Sequence, residues 1–174
     1  VILGDSNRNY RYEYLDYLDL IYRRLAREDA DLAIRLLIVK SAILFNGGKI
    51  DEAEAELKRI MRVAINQKDD ACMGFAYHQI CAYNALSYQF QKALFTGQKA
   101  LWYYRRSASH QRGIQNVLRY LAFSEIQRNE LGEARRLVDQ MAAMPGADPF
   151  ELAAARTEFA LASGDYQGAL HTID

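Results

Sequence analysis

Proline is scarce in this chain: two prolines occur in 174 residues, Pro145 and Pro149, and both lie in the segment MPGADP. Runs of alternating apolar and polar residues around Asn-Gly or Asp-Gly turns, which would indicate β-hairpins, are also missing. Long stretches instead space apolar residues three and four positions apart, as around Leu36, Leu37 and Leu44. That spacing places side chains on one face of an α-helix, so the sequence predicts an all-α protein.

Cysteine, long apolar runs and net charge are scarce as well. Cys72 and Cys81 lie on one predicted helix, roughly 13 Å apart, which is too far for a disulfide bond, and free thiols favour the cytoplasm. No apolar run approaches the ~18 residues that cross a bilayer, so no membrane partner is expected. The 22 Lys and Arg residues balance 22 Asp and Glu residues, so no overall field attracts nucleic acid, and no direct nucleic-acid partner is expected.

Residue patterns typical of catalysis are absent from the sequence. The three histidines are His78, His110 and His171, and none forms a ligand set with a carboxylate or a cysteine. His78 and Cys81, on adjacent helical turns, come nearest, but two ligands do not make a metal site. The sequence contains no phosphate-binding loop, HExxH sequence or nucleophile elbow. We therefore expect no enzyme activity, no metal and no cofactor.

A repeat of about 40 residues organises the chain. Four segments combine a short turn with an alanine about one helical turn later: GGKIDEAEAEL, SYQFQKALFTG, RNELGEARRLV and SGDYQGALHTI. Their alanines are Ala53, Ala93, Ala134 and Ala169, at spacings of 40, 41 and 35 residues. Such regular spacing is typical of stacked helical hairpins.

Each repeat carries small residues where its two helices would cross. Twelve residues before each alanine stands another small residue: Ser41, Cys81, Ala122 and Thr157. Small residues on both helices, flanked by large apolar side chains, allow the helices of an antiparallel hairpin to approach closely. Between the two helices, Gly48, Asn129 and Gly164 tolerate the left-handed conformation that ends a helix.

At these positions the chain resembles the tetratricopeptide repeat (TPR) family, which has a small residue in the first helix, a glycine-containing turn and an alanine in the second helix. The resemblance covers residues 29–174 and is closest to the extended repeats of bacterial transcription activators and signalling proteins. It implies a right-handed superhelical stack of antiparallel helical hairpins, a TPR-like α-solenoid. Three features depart from the family pattern: Ser87-Tyr88 replaces the usual glycine, and Lys40 and Arg156 stand where a packed leucine is usual.

The helical pattern also predicts the order of segments. A tyrosine-rich leading helix within residues 1–28 precedes the solenoid, and Tyr10, Tyr14 and Tyr17 on it either cover a missing neighbour or mark an interface. About four hairpins follow, near 30–67, 70–106, 110–143 and 149–174, the last cut short. We expect a piece of a longer protein; the alternative is a complete short domain whose ends pair with another subunit. The tyrosines are Tyr10, Tyr12, Tyr14, Tyr17 and Tyr22.

The resemblance implies that the first helix of each hairpin lines a concave groove that binds an extended peptide or a partner helix. Projection from the small residues places apolar, basic and amide side chains in that groove, with Glu151 and Glu158 from the fourth hairpin. The expected function is a protein–protein interaction scaffold in a bacterial regulatory or signalling protein. The expected groove residues are Arg35, Ile38, Phe45, Phe75, His78, Asn116, Arg119, Phe123 and Ile126.

Two other functions stay open at this point. One is an effector-sensing domain, with a small molecule or signalling peptide in the groove. If a peptide binds there instead, Arg35 or Arg119 would contact its C-terminal carboxylate. The other is an oligomerisation module that stacks through the ends of the solenoid. The segment WYYRRSASHQR combines aromatic and basic residues, and we interpret it as a helix end with basic residues near its negative pole rather than a nucleic-acid patch.

Overall fold

A computed structural model describes residues 5–107 and 110–172, with the side chains of all of these except 5–13, 27, 30 and 31. Within these residues the chain forms helices and no strand, which confirms the all-α prediction. The helices are α1 (Asp5–Glu28), α2 (Ala30–Asn46), α3 (Ile50–Gln67), α4 (Asp70–Leu86), α5 (Phe90–Arg106), α6 (Gln111–Gln127), α7 (Leu131–Ala142), α8 (Pro149–Ser163) and α9 (Tyr166–His171).

The helices pack mainly against their neighbours in sequence, within two compact units. The first unit is Val1–Cys72, in which α1 packs against α2 and α2 against α3. The second unit is Met73–Asp174, in which α5 packs against α6, α6 against α7 and α8 against α9. In addition, α8 contacts both α6 and α7. The architecture is therefore repeat-like, because each helical pair is followed along the chain by another.

Aspartate caps explain where several helices begin. The carboxylate of Asp29 accepts a hydrogen bond from the backbone N–H of Leu32 at the start of α2, at 3.0 Å. Asp148 and Asp165 do the same at the starts of α8 and α9. These bonds satisfy N–H groups that have no partner within the helix. Pro149 occupies the first turn of α8, where the missing N–H costs nothing.

The turns inside the four hairpins share one backbone geometry. The predicted left-handed residues Gly48, Asn129 and Gly164 have φ values of +79°, +61° and +79°. In the second hairpin Tyr88 takes the same role with φ of +59°, although tyrosine rarely adopts this conformation. After each of these residues, a backbone N–H donates to the carbonyl five residues earlier, the bond of a Schellman helix end. The four bonds are Lys49 to Leu44, Gln89 to Asn84, Glu130 to Glu125 and Asp165 to Ala160.

Replacing Tyr88 with glycine is expected to raise the free energy of unfolding by about 0.5 kcal/mol. Relief of the left-handed conformation stabilises the fold by about 1–2 kcal/mol, and the greater freedom of glycine in the unfolded chain removes about 0.5–1 kcal/mol. The ring is 74% exposed, so little packing is lost. Urea unfolding measures the change. Tyr88→Ala is the control, because it removes the ring but keeps the strain; a glycine variant less stable than the alanine variant would contradict the prediction.

The four anchoring alanines and Arg156 differ in their burial. Ala53, Ala93, Ala134 and Ala169 are all buried, as expected for residues between helices. Arg156, by contrast, is exposed on α8.

Lys40 is buried in the first unit together with two carboxylates. Its Nζ lies 2.7 Å from Asp19 of α1 and 2.8 Å from Glu56 of α3, and Arg59 Nη1 lies 2.7 Å from Glu56. Burial alone would lower the pKa of Lys40, but the hydrogen bonds and charges of Asp19 and Glu56 outweigh it and raise the pKa above its ordinary value. An ion network therefore joins α1, α2 and α3 around Lys40.

The tyrosines of the leading helix differ in their surroundings. Tyr14 and Tyr17 are exposed on α1. Tyr22 is partly buried, and the guanidinium of Arg59 lies 4.4 Å from the centre of its ring. The side chains of Tyr10 and Tyr12 lie outside the described residues.

Candidate functional site

The first helices of three consecutive hairpins line one depression in the second unit. Leu86 comes from the end of α4, Arg119, Tyr120 and Phe123 come from α6, and Glu158 comes from α8. Its volume is about 90 Å³. The packing of α8 against α6 brings Arg119 and Glu158 together, although they are 39 residues apart in the chain.

A second depression continues from the first along α8. It has a volume of about 380 Å³, and Glu158 lines both depressions. The remaining walls are apolar or uncharged, and Phe150 is 78% exposed at the edge. The two depressions together form an elongated surface, which we call the α6–α8 groove. The residues that complete the second depression are Phe150, Ala153, Ala154, Thr157 and Thr172.

Arg119 forms the polar centre of the α6–α8 groove. Its guanidinium donates to Glu151 at 2.7 Å and to Glu158 at 3.1 Å, so it links α6 to both ends of one face of α8. Burial would lower the pKa of Arg119, but the two carboxylates raise it, and the arginine stays charged. Two carboxylates against one guanidinium leave an excess of negative charge. An anionic group of a guest would have to displace both glutamates to reach Arg119, whereas a cationic group would meet a favourable potential.

Aromatic side chains border the groove on the side of α4 and α5. The ring of Phe123 is partly buried and meets the edge of Phe90 at 6.2 Å between centroids. Phe90 in turn meets the ring of Tyr88 at 5.9 Å. Leu86 and Tyr88 are exposed, at 52% and 74%. This continuous apolar border lies next to the charged centre, so the groove combines apolar area with an ion pair.

His78 lies beneath the surface rather than on it. It is 7% exposed, and its ring has aromatic neighbours at centroid distances of 6.5 Å for Phe75, 6.2 Å for Tyr104 and 6.0 Å for Tyr120. Burial lowers the pKa of His78 from 6.5 to about 4, so the ring is neutral near pH 7. His78 therefore supports Tyr120, a wall of the groove, from below.

No protein-family model, curated protein or solved structure matches the chain. The TPR resemblance consequently stays a prediction from residues and spacing. The geometry of the α6–α8 groove, rather than a relative of known function, has to support any functional assignment.

The other predicted groove residues have varied placements. Asn116 and Ile126 are partly buried on α6, and the Asn116 side-chain oxygen is buried and accepts no hydrogen bond within the described residues. Phe75 is partly buried beside His78. The structure brings Arg119 and Phe123 into one depression with the projected Glu158. In the first unit, α2 carries Arg35, which is exposed, and Ile38 and Phe45, which are partly buried.

Sequence reasoning missed two walls of the first depression, Leu86 and Tyr120. Leu86 lies eight residues, about two helical turns, beyond His78, so continuing the projection along α4 would have found it. Tyr120 is the neighbour of Arg119 in sequence, and its contribution depends on the way its long side chain leans over the buried His78. A projection of helix faces gives the side on which a residue lies, but not the reach of an aromatic ring.

The described part of the chain offers little for metal or thiol chemistry. Among these residues, no three His, Cys, Asp or Glu side chains form a group that could hold a metal ion. Burial raises the pKa of the Cys81 thiol to about 12, although Thr96 acts in the opposite direction, and a protonated buried thiol is a poor nucleophile. Within the same residues, no helix is both long and apolar enough to cross a membrane.

Proposed function

We propose that the protein is a protein–protein interaction scaffold with TPR-like stacking, and that a peptide or helix of a partner binds along the α6–α8 groove. The observation that carries the proposal is the meeting of α4, α6 and α8 around Arg119 and Glu158. In a right-handed stack of hairpins the first helices lie side by side, and the contact of α8 with both α6 and α7 supports this arrangement.

The division of the groove into two adjoining depressions favours a peptide over a compact small molecule. The central depression, of about 90 Å³, suits a single side chain, whereas the second depression, of about 380 Å³, by itself reaches the ~300 Å³ of typical small-molecule sites. The larger depression beside it provides room for neighbouring residues of the same segment. Apolar walls supply most of the binding free energy, at about 25 cal/mol per Å² of apolar area buried.

Removing the ring of Phe123 is expected to weaken peptide binding about tenfold, because truncating an aromatic residue that packs against the bound segment costs about 1–2 kcal/mol. Peptides selected from a displayed random library against the wild-type chain supply the probes. Their dissociation constants for wild type and Phe123→Ala are then compared by fluorescence anisotropy.

Tyr166→Ala is the matched control, because it removes an exposed aromatic residue from α9, outside the groove. Circular dichroism checks that both variants keep their helices. Selected peptides that bind Phe123→Ala as tightly as the wild type would contradict the proposal. A library that yields no binder, while a small metabolite raises the melting temperature, would favour effector sensing instead.

A further inference from the structure

The chain has no net charge, but its acidic and basic residues are unevenly distributed along the sequence. Residues 71–124 contain no Asp or Glu and six basic residues, so the rest of the chain carries the matching acidic excess. One of the six, Arg119, is paired with glutamates of α8. Arg105 lines a pocket with Glu125 and Glu133. The other four are Lys92, Lys99, Arg106 and Arg112.

Three of these cations alternate with two aromatic residues on the exposed face of α5. The order is Lys92, Phe95, Lys99, Trp102 and Arg106, at intervals of three, four, three and four residues. All five are exposed, Phe95 at 59% and Trp102 at 52%. Intervals of three and four keep side chains in one line along a helix, as in the contact line of a coiled coil. We call these five residues the α5 ladder.

Contacts within the α5 ladder hold its side chains in place. The ammonium of Lys99 lies 4.6 Å from the ring centre of Phe95, and the guanidinium of Arg106 lies 4.3 Å from that of Trp102. Lys99 also lies 5.2 Å from the ring centre of Tyr77. Cation–π contacts of this kind fix the direction of long side chains and reduce the entropy that binding would cost.

A second layer of aromatic rings supports the ladder from the side of α4. Tyr77 and Tyr103 stack at 5.6 Å with nearly parallel rings, and Trp102 meets Tyr103 edge-on at 4.7 Å. The ladder is therefore a preorganised surface, with cations and apolar rings at fixed spacing.

We propose that the α5 ladder docks an acidic amphipathic helix of a partner protein, on a surface separate from the α6–α8 groove. Successive cations of the ladder lie seven residues apart, or roughly 10.5 Å along the helix axis. A facing helix with carboxylates at every seventh position repeats that distance. Apolar side chains at the intermediate positions of the partner then meet Phe95 and Trp102, as in helix-on-helix recognition.

The arrangement of the ladder fits a helix better than it fits a membrane or a nucleic acid. A helix that lies on a membrane separates its basic residues from its aromatic residues on different faces, whereas the ladder alternates them in one line. Single-stranded nucleic acid binds through bases that stack on open ring faces, but Phe95 and Trp102 each already hold a cation over one face. The strict helical spacing of the charges is what a second helix would match.

Trp102 allows a direct test, because it is the single tryptophan of the sequence and its emission reports on the ladder alone. The probe is a helical peptide of about 21 residues. It has Glu at every seventh position and Leu at the intermediate positions that would meet Phe95 and Trp102. We expect it to change the Trp102 emission saturably, and more weakly as salt rises from about 50 to 500 mM. Lys99→Glu should weaken binding about tenfold through like-charge repulsion.

Three controls test whether the peptide binds at the ladder and through its charge spacing. Arg156→Glu makes the same charge change on α8, and a peptide with the same composition but scrambled Glu positions removes the heptad spacing. We expect Arg156→Glu to bind the acidic peptide as the wild type does. The scrambled peptide should bind the wild-type chain at least fivefold more weakly. Phe123→Ala should leave the binding intact, so this inference and the proposed groove function succeed or fail independently.

Several results would overturn the inference. The first is a Trp102 emission that does not change when the acidic peptide is added. The others are a Lys99→Glu variant that binds the peptide as tightly as the wild type, and a scrambled peptide that binds as tightly as the original. Tighter binding of a single-stranded oligothymidylate, or of vesicles containing phosphatidylserine, at the same ionic strength would assign the ladder to nucleic acid or membrane. A Trp102 emission that changes with protein concentration without any peptide would show that a second copy of the chain already covers the ladder.

Discussion

Replacing Tyr104 with alanine is expected to lower the free energy of unfolding of the second unit by about 4 kcal/mol, the range seen when a large buried aromatic side chain is removed. Tyr104 is 3% exposed at the end of α5. Its ring lies against the backbones of α4 and α6 at two glycines: an added Cβ would lie 2.6 Å from the ring at Gly74 and 2.7 Å from it at Gly113. His110 stacks on the same ring at 5.5 Å. Rigid backbone on two sides cannot collapse into the space that alanine would leave, so the cavity persists and adds to the cost.

Tyr104→Phe separates the role of the ring from that of its hydroxyl group. The hydroxyl lies 3.4 Å from Nδ1 of His78, a long and weak hydrogen bond, and its loss should cost about 1 kcal/mol or less. Urea unfolding followed by far-UV circular dichroism measures both variants. If the alanine and phenylalanine variants lose the same stability, the packing of the ring between the two glycines is not what stabilises the unit.

The helices could be predicted from the sequence because local rules determine them. Apolar spacing indicates the all-α class, and Gly48, Asn129 and Gly164 adopt the left-handed conformation expected of them. Tyr88 shows the limit of this reasoning, because its own preference opposes the conformation that it adopts. The Schellman bond from Gln89 to Asn84 and the packing of the two helices around it outweigh that preference. Tertiary context of this kind is invisible in a single repeat read alone.

The candidate site could be predicted only in part, because projection gives helix faces and not side-chain partners. Projection places Arg119, Glu151 and Glu158 on the same side of their helices. It does not show that Arg119 forms ion pairs with both glutamates. Because of these pairs, a guest meets an excess of negative charge rather than a free positive charge. The α5 ladder was not predicted for another reason. The net charge of the whole chain is zero, and a net charge does not show where basic and acidic residues lie along the sequence.

His78 is expected in the groove because it follows the small-residue spacing of α4, but the structure buries it. Its burial depends on Tyr104 and Tyr120, which reach over it from α5 and α6. These rings come from positions 26 and 42 residues later in the chain, and no local pattern in α4 indicates them. The same burial leads to the second large effect, a dependence of stability on pH.

Acidification from pH 6.5 to about 4 is expected to cost the second unit about 3 kcal/mol through His78 alone. Burial lowers the pKa of His78 from 6.5 to about 4, so within this range the unfolded chain takes up a proton that the folded chain does not. Stability is therefore full above pH 6.5, falls as the pH drops, and stops falling through this group below about pH 4. Burial raises the pKa of Tyr120, which faces the ring, so this neighbour stays neutral throughout the range.

Replacing His78 with glutamine removes the titration while keeping a polar group that can accept a hydrogen bond near Tyr104. The variant should be less stable than the wild type at pH 7, because packing is lost, but the difference should shrink steadily as the pH falls to 4.5. Carboxylates also titrate near the lower end of this pH range. They do so in both wild type and variant, so their effect cancels in the difference between the two unfolding free energies. His171→Gln, on exposed α9, is the control and should follow the wild-type curve. Curves of unfolding free energy that run parallel for wild type and His78→Gln between pH 7 and 4.5 would show that the imidazole is not held neutral in the core, and that His78 reaches the surface where helix projection places it.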